Sequence, residues 1–91
     1  MLDVGHLKVS SKTEKFDLKI AMLKLNNIVT GYHLSENNGL EDQNKNFSNK
    51  VWFLKFLKKN LNYYTLEIYK TNLDKIYKTK VMIENFLNKK I

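Results

Sequence analysis

The chain must build its fold from side-chain packing, because nothing in its sequence can cross-link it. It has 91 residues, no cysteine and no zinc-type cluster of ligands. A chain of this length buries only roughly 60% of the surface that it exposes when unfolded. Its hydrophobic content of 43% is nevertheless well above that of a disordered chain. We therefore expect one folded domain over residues 1–91, whose core comes from the chain itself, from a partner chain, or from both.

The positive charge is concentrated in the C-terminal half. All 16 basic residues are lysine, and the 12 asparagines beside them suggest that A/T-rich codons contribute to this composition. Residues 1–49 carry six lysines and six acids, whereas residues 50–91 carry ten lysines and three acids. Codon bias does not explain why one half is neutral. The asymmetry therefore predicts a binding surface in the second half.

A capping-box pattern indicates the start of a first helix. Ser11 and Glu14 have the spacing at which each side chain can bond the backbone N–H of the other. Apolar residues then recur at helical spacing at Leu18, Ala21, Met22, Leu25, Ile28, Val29 and Tyr32. The sequence predicts a helix over 12–31, after a lead-in at 1–10. The alternation of Phe16, Leu18, Ile20 and Met22 leaves a strand at 16–23 open as an alternative.

A polar, locally acidic loop is predicted at 32–48, since it has no periodicity and contains the turn dipeptide Asn38-Gly39. A second helix is predicted at 49–61, with Ser48 as its cap. The aromatic residues of this segment fall on one helical face and its lysines on the other: Trp52, Phe53 and Phe56 against Lys55, Lys58 and Lys59.

A third helix is predicted at 63–89 from a heptad pattern. Leu66, Leu73, Lys80 and Leu87 occupy one core position, and Tyr69, Ile76, Ile83 and Lys90 the other. The expected fold is therefore all-α, a small three-helix arrangement with a long polar loop between helices 1 and 2. The alternating, aromatic stretch at 64–69 could instead be a strand. Together with 16–23, it leaves an α+β fold as the alternative.

The sequence contains no recognisable catalytic or metal-binding motif. His6 and His33 are far apart, fall outside the predicted helices, and lack the spacing of a metal-binding pair. The three glycines are isolated, so there is no phosphate-binding loop. We therefore expect no enzyme activity, catalytic residue, metal, cofactor or small-molecule substrate.

A non-enzymatic protein-binding module of regulatory or inhibitory type is the function that the sequence favours. The third helix has more apolar surface than a three-helix chain can cover, which is typical of an interface or of self-association. Lys80 in a heptad core position would set the register or number of partners. The predicted interface residues are Tyr69, Ile76, Lys80, Ile83 and Leu87, with Trp52 and Phe56 as core or second-surface candidates.

Nucleic-acid backbone binding is the alternative function. Its candidate residues are Lys50, Lys55, Lys58, Lys59, Lys70, Lys75 and Lys78. A helix-turn-helix about Asn60 would present them, although without arginine it has little means of reading guanine.

A further alternative is membrane-surface binding through 49–61. No secretory signal is apparent and the longest apolar run, Val51–Leu54, is too short to span a bilayer, so a cytoplasmic location is expected.

Overall fold

The computed structural model describes all 91 residues as a three-stranded parallel sheet with three α-helices. The strands are β1 (Leu2–Asp3), β2 (Gly31–Leu34) and β3 (Tyr63–Leu66), and β2 lies in the middle of the sheet. The helices are α1 (Val4–Thr13), α2 (Leu18–Leu25) and α3 (Leu73–Leu87). The all-α prediction is therefore wrong, and the protein belongs to the α+β class.

Parallel pairing explains why the strands were hard to recognise. Leu2 lies opposite Tyr32, and Tyr32 lies opposite Tyr64, so each strand pairs with a segment about 30 residues away along the chain. Helices α1 and α2 connect β1 to β2, as a parallel pair requires. The alternating stretch at 64–69 does contain most of β3, but β1 and β2, with two and four residues, are too short to show a clear period of two.

The predicted helix over 12–31 is wrong, because these residues comprise the end of α1, the whole of α2 and the first residue of β2. The alternative of a strand at 16–23 is also wrong, since α2 occupies most of that stretch. Asp3 caps α1 by accepting from the His6 N–H, and Asp17 caps α2 by accepting from the Ile20 N–H, each at 2.9 Å. The chain turns between the two helices at Lys15, which has a φ of 58°. Ser11 is not a cap, because it lies inside α1 and its hydroxyl donates to the Lys8 carbonyl. Residues 1–10 therefore form β1 and most of α1 rather than a lead-in.

The segment 35–62 between β2 and β3 is irregular except for one 3₁₀ turn at Leu54–Phe56. The predicted helix over 49–61 is wrong, because backbone groups that a helix would pair with one another form hydrogen bonds to distant side chains instead. The Phe56 carbonyl accepts from the Asn26 side chain, and the Lys58 N–H donates to the Tyr32 hydroxyl. The Phe53 ring is fully buried and packs edge-on against Phe47 and Trp52.

The predicted helix over 63–89 begins ten residues late. Tyr63–Leu66 is strand β3, and Lys70 has a φ of 57°, which breaks any helical continuation. Asn72 then caps α3 by accepting from the Lys75 N–H at 2.9 Å. The helix ends at Asn88, which has the left-handed conformation common at helix ends.

The core joins the two halves of the chain. Its fully buried side chains come from every part of the fold: Val4 of α1, Met22 of α2, Tyr32 and Leu34 of β2, Phe53 of the connecting segment and Ile83 of α3. Leu87 is also buried, at 4% exposure. Because these side chains form one cluster, the helices and the sheet bury one another's apolar surfaces.

Two tyrosines hold the backbone of Lys58. Tyr32 and Tyr64 are neighbours across the sheet, with ring centroids 5.7 Å apart. The Tyr32 hydroxyl accepts from the Lys58 N–H at 2.9 Å and donates to Asn26 at 2.6 Å. The Tyr64 hydroxyl donates to the Lys58 carbonyl and accepts from the Leu61 N–H. Burial raises the pKa of Tyr32, so this hydroxyl stays protonated and remains a donor.

Replacing Tyr32 with phenylalanine tests this arrangement. Tyr32→Phe leaves Asn26 and the Lys58 N–H without their partner while keeping the ring, so the free energy of unfolding should fall by about 1–3 kcal/mol. Urea unfolding followed by circular dichroism measures the change. Tyr63→Phe is the matched control, since Tyr63 is 42% exposed. Equal stability of the two variants would contradict the role of the Tyr32 hydroxyl.

Glu84 ties the C-terminus to α3. Its Oε2 accepts from the Ile91 N–H at 3.0 Å and from the Lys80 ammonium at 2.9 Å. The hydrogen bond from the Ile91 N–H is the largest cause that lowers the pKa of Glu84, and the hydrogen bond from Lys80 is the second. The charged carboxylate therefore stabilises the fold at neutral pH.

The effect of Glu84 should depend on pH in a defined direction. The stabilisation is fully present above the ordinary glutamate pKa of about 4.3 and is lost as the pH falls through the lower folded value. Glu84→Gln should therefore lower the urea midpoint at pH 7 and have a smaller effect near pH 3. Glu41→Gln, at an exposed carboxylate, is the control. A Glu84→Gln effect that does not change with pH would contradict this assignment.

Candidate interaction surfaces

The largest mismatch between composition and burial occurs in α2. Six of its eight residues are apolar, yet Met22 is its only buried side chain. Ile20 is 54% exposed and Leu23 is 55% exposed, on a face that Phe16 extends towards the N-terminus. A helix that is apolar on all sides is normally covered on all sides. The uncovered side of α2 is therefore the strongest candidate for an interface.

This face borders a groove between α1 and α2, with a volume of about 380 Å³. Its lining is mainly apolar and has one charged residue of each sign: Leu7, Phe16, Asp17, Ile20, Ala21, Lys24 and Leu25. Asp17 lies at the N-terminal end of α2, and Lys24 lies one residue before its last. We call this surface the α2 groove. The apolar residues of the predicted first helix are the sequence signal that could have revealed this surface.

The interface residues predicted in α3 do not form one surface. Ile83 and Leu87 are buried in the protein's own core, so the folded chain does not present them. Ile76 is half-buried and Tyr69, which precedes the helix, is 61% exposed. Lys80 lies beside Glu84 in an ion pair rather than in a coiled-coil core. The heptad pattern failed here because half of its residues belong to strand, loop and core rather than to one helix face.

Trp52 and Phe56, the other predicted candidates, are half-buried against the core. Their segment has no amphipathic helix, so the geometry expected for membrane-surface binding is not present. None of the three helices combines the length and the apolar composition that crossing a bilayer requires.

The seven predicted nucleic-acid lysines are all exposed: Lys50, Lys55, Lys58, Lys59, Lys70, Lys75 and Lys78. Lys75 and Lys78 line a shallow groove with Phe47 and Met82. Lys59 lies over the Phe86 ring, 4.9 Å from its centroid. Helices do not flank Asn60, so the helix-turn-helix prediction is wrong.

Lys50 and Lys55 instead meet Lys19 of α2 at a cleft of about 300 Å³. Trp52 and Phe86 also line this cleft, and none of its lining residues is acidic. The Trp52 Nε1 atom is buried and has no hydrogen-bond partner. We call this site the basic cleft. It combines positive charge with aromatic surface, and it includes a lysine from the half of the chain that is neutral in total.

Comparison with known proteins adds no further constraint on these surfaces. No protein-family model, curated protein or solved structure matches the chain.

Proposed function

We propose that the protein is a small non-enzymatic protein-binding module of regulatory or inhibitory type, and that its binding surface is the α2 groove. The observation that carries the proposal is the exposure of Ile20 and Leu23 on a helix that buries only Met22. Covering large apolar side chains releases about 25 cal/mol for each Å² removed from water, which favours association. The surface thus differs from the C-terminal one that the sequence favoured.

The occupant that best fits the groove is a second copy of the chain. Asp17 and Lys24 are seven residues apart, about 10 Å along a helix, and both line the groove. If two α2 helices pack antiparallel about a two-fold axis between Ile20 and Ala21, Asp17 of each copy meets Lys24 of the other. Phe16 then faces Leu25. A two-fold interface needs this kind of self-complementary surface.

The self-association should be weak, because α2 has only eight residues. A small contact of this kind favours a dissociation constant of about 10–100 μM. The net charge of +7 on each copy adds repulsion, so the dimer should become tighter as salt is raised. Sedimentation equilibrium over a range of protein and salt concentrations measures both effects.

Ile20→Glu should weaken the dimer by at least about tenfold, since it places two like charges in the apolar centre of the contact. Leu73→Glu is the matched control, because Leu73 is 82% exposed on α3, away from the groove. Circular dichroism verifies that both variants keep the fold. A parent chain that stays monomeric at millimolar concentration, or equal effects of the two variants, would refute the pairing.

The charge pairing can be tested separately. Lys24→Glu should weaken the dimer because it sets a glutamate beside Asp17 of the other copy. Lys78→Glu makes the same change in net charge at an exposed position on α3, and it should tighten the dimer slightly by reducing repulsion. If Lys24→Glu also tightens the dimer, the groove binds a different partner in a different orientation.

Binding of a single-stranded nucleic acid at the basic cleft is the second candidate function. Lys19, Lys50 and Lys55 can neutralise backbone phosphates, and Trp52 and Phe86 offer aromatic surface for bases. Such binding would be insensitive to sequence, in keeping with the absence of arginine.

Salt dependence distinguishes this candidate from self-association. Affinity for an oligothymidine should fall as salt rises, with each phosphate contact contributing about 0.7 to the slope of log K against log salt. The double variant Lys50→Gln and Lys55→Gln should reduce the slope by about 1–1.5. The double variant Lys75→Gln and Lys78→Gln, made outside the cleft, is the control. Absence of binding at about 50 mM salt, or equal slopes for both variants, would exclude the cleft as a nucleic-acid site.

A further inference from the structure

A cluster of imidazole and carboxylate groups lies at the carboxyl end of the sheet. Asp3 ends β1, His33 is the third residue of β2, and Glu67 directly follows β3. The register places Asp3 opposite His33, and the Glu67 N–H bonds the Leu34 carbonyl at 3.1 Å. One ligand atom from each of the three side chains lies within 4.8 Å of the other two. Three strands that are distant in sequence thus bring one nitrogen and two oxygen ligands together.

Two further groups adjoin this cluster. The Nδ1 atom of His6, in the first turn of α1, lies 3.6 Å from the Asp3 carboxylate, and its Nε2 atom contacts Asp42. Gly5 lets α1 pack closely against the segment that carries Asp42, since a Cβ there would stand 2.8 Å from the Ser35 Oγ and 3.3 Å from the Asp42 Oδ1. His6 lies in α1 and His33 in β2, although the sequence predicted neither of them within a regular element.

The cluster has a deficit of positive charge. Asp3, Asp42 and Glu67 bring three carboxylates together, and their ion-pair contacts are all to His6 or His33. The two lysine–carboxylate ion pairs of the protein lie elsewhere, at Lys8–Glu36 and Lys80–Glu84. In a chain with 16 lysines, none contacts these three carboxylates.

The side chains are also held in place. Asp3 Oδ1 is engaged as the cap of α1, and this leaves Oδ2 for another partner. The Asp3 side chain is 17% exposed, that of His33 is 23% exposed, and that of Glu67 is 31% exposed. Such partly covered groups lose little freedom when they bind an ion, yet they remain within reach of solvent.

We propose that Asp3, His33 and Glu67 form a binding site for a divalent transition cation of the zinc type. A nitrogen ligand favours zinc and its neighbours over magnesium or calcium, which prefer oxygen ligands. Ligand atoms on one tetrahedral zinc ion, each about 2.0–2.2 Å from the metal, lie about 3.3–3.6 Å from one another. In the cluster all three atoms lie within 4.8 Å of one another, and His33 Nδ1 lies 2.6 Å from Glu67 Oε1. Side-chain rotations that separate this pair by about 1 Å would give the zinc spacing. His6 is the nearest candidate for a fourth ligand.

Titration calorimetry of the untagged chain with zinc chloride tests the site. One zinc ion should bind per chain, magnesium should not compete, and zinc should raise the melting temperature. Cobalt, used as a spectroscopic substitute, should give the visible absorption of a low-symmetry site. Failure of zinc to bind at submillimolar concentration, or a stoichiometry unrelated to one, would overturn the proposal.

Variants assign the binding to these residues. His33→Ala and the isosteric Glu67→Gln should each weaken zinc binding by at least about tenfold, since changing a residue behind a metal ligand already costs about 10–100-fold. Glu36→Gln is the matched control, because Glu36 is a similarly covered carboxylate outside the cluster. If His33→Ala does not fold, Glu67→Gln still decides the matter. Zinc affinity that Glu67→Gln leaves unchanged, or that Glu36→Gln reduces equally, would overturn the assignment.

Discussion

The fold depends on how the central strand holds the irregular segment beside it. Tyr32 and Tyr64 are paired across β2 and β3, and their hydroxyls bond the N–H and the carbonyl of Lys58. Asn26, at the end of α2, joins the same network through the Tyr32 hydroxyl and the Phe56 carbonyl. One set of partly buried hydrogen bonds therefore links the sheet, α2 and the segment that supplies Phe53 to the core. Because unpaired polar groups in such a place are costly, the network specifies one arrangement of these elements.

The small size of the core explains why α2 is left partly uncovered. One cluster of side chains must serve a sheet and three helices, and α2 contributes only Met22 to its buried part. The apolar groups on its other side have nothing within the chain to pack against. A thin margin of stability in a short chain makes a partner surface valuable for stability as well as for function. The α2 groove is therefore a consequence of the short chain, which has too few side chains to cover both sides of α2.

The parallel sheet also determines where polar side chains meet. Its strands end at one edge, so Asp3, His33 and Glu67 are brought together although each is at least 30 positions from the next along the chain. Clefts outside the carboxyl ends of parallel strands are the usual location of ligand sites in open sheets. Sequence spacing could not reveal this cluster, because no two of its members lie on one local element. The heptad pattern of the third predicted helix failed in the opposite way. It predicted one helix face for residues that the fold divides among β3, a loop and α3.

The sequence by itself determined the local chemistry: the concentration of lysine after residue 49, the polar stretch that follows β2, and the turn at Asn38-Gly39, where Gly39 has a φ of 83°. It did not determine which residues cap the helices. The sequence predicted Ser11 as a cap, whereas Asp3 caps α1 and Asp17 caps α2. Only the tertiary structure decided the sheet. Alternation at 64–69 indicated β3 only as an alternative to a helix, because the strands of the sheet have two to four residues and each is stabilised by a partner far along the chain. Such non-local pairing gains its free energy only when the whole core assembles, and this is why the apolar pattern alone indicated helices.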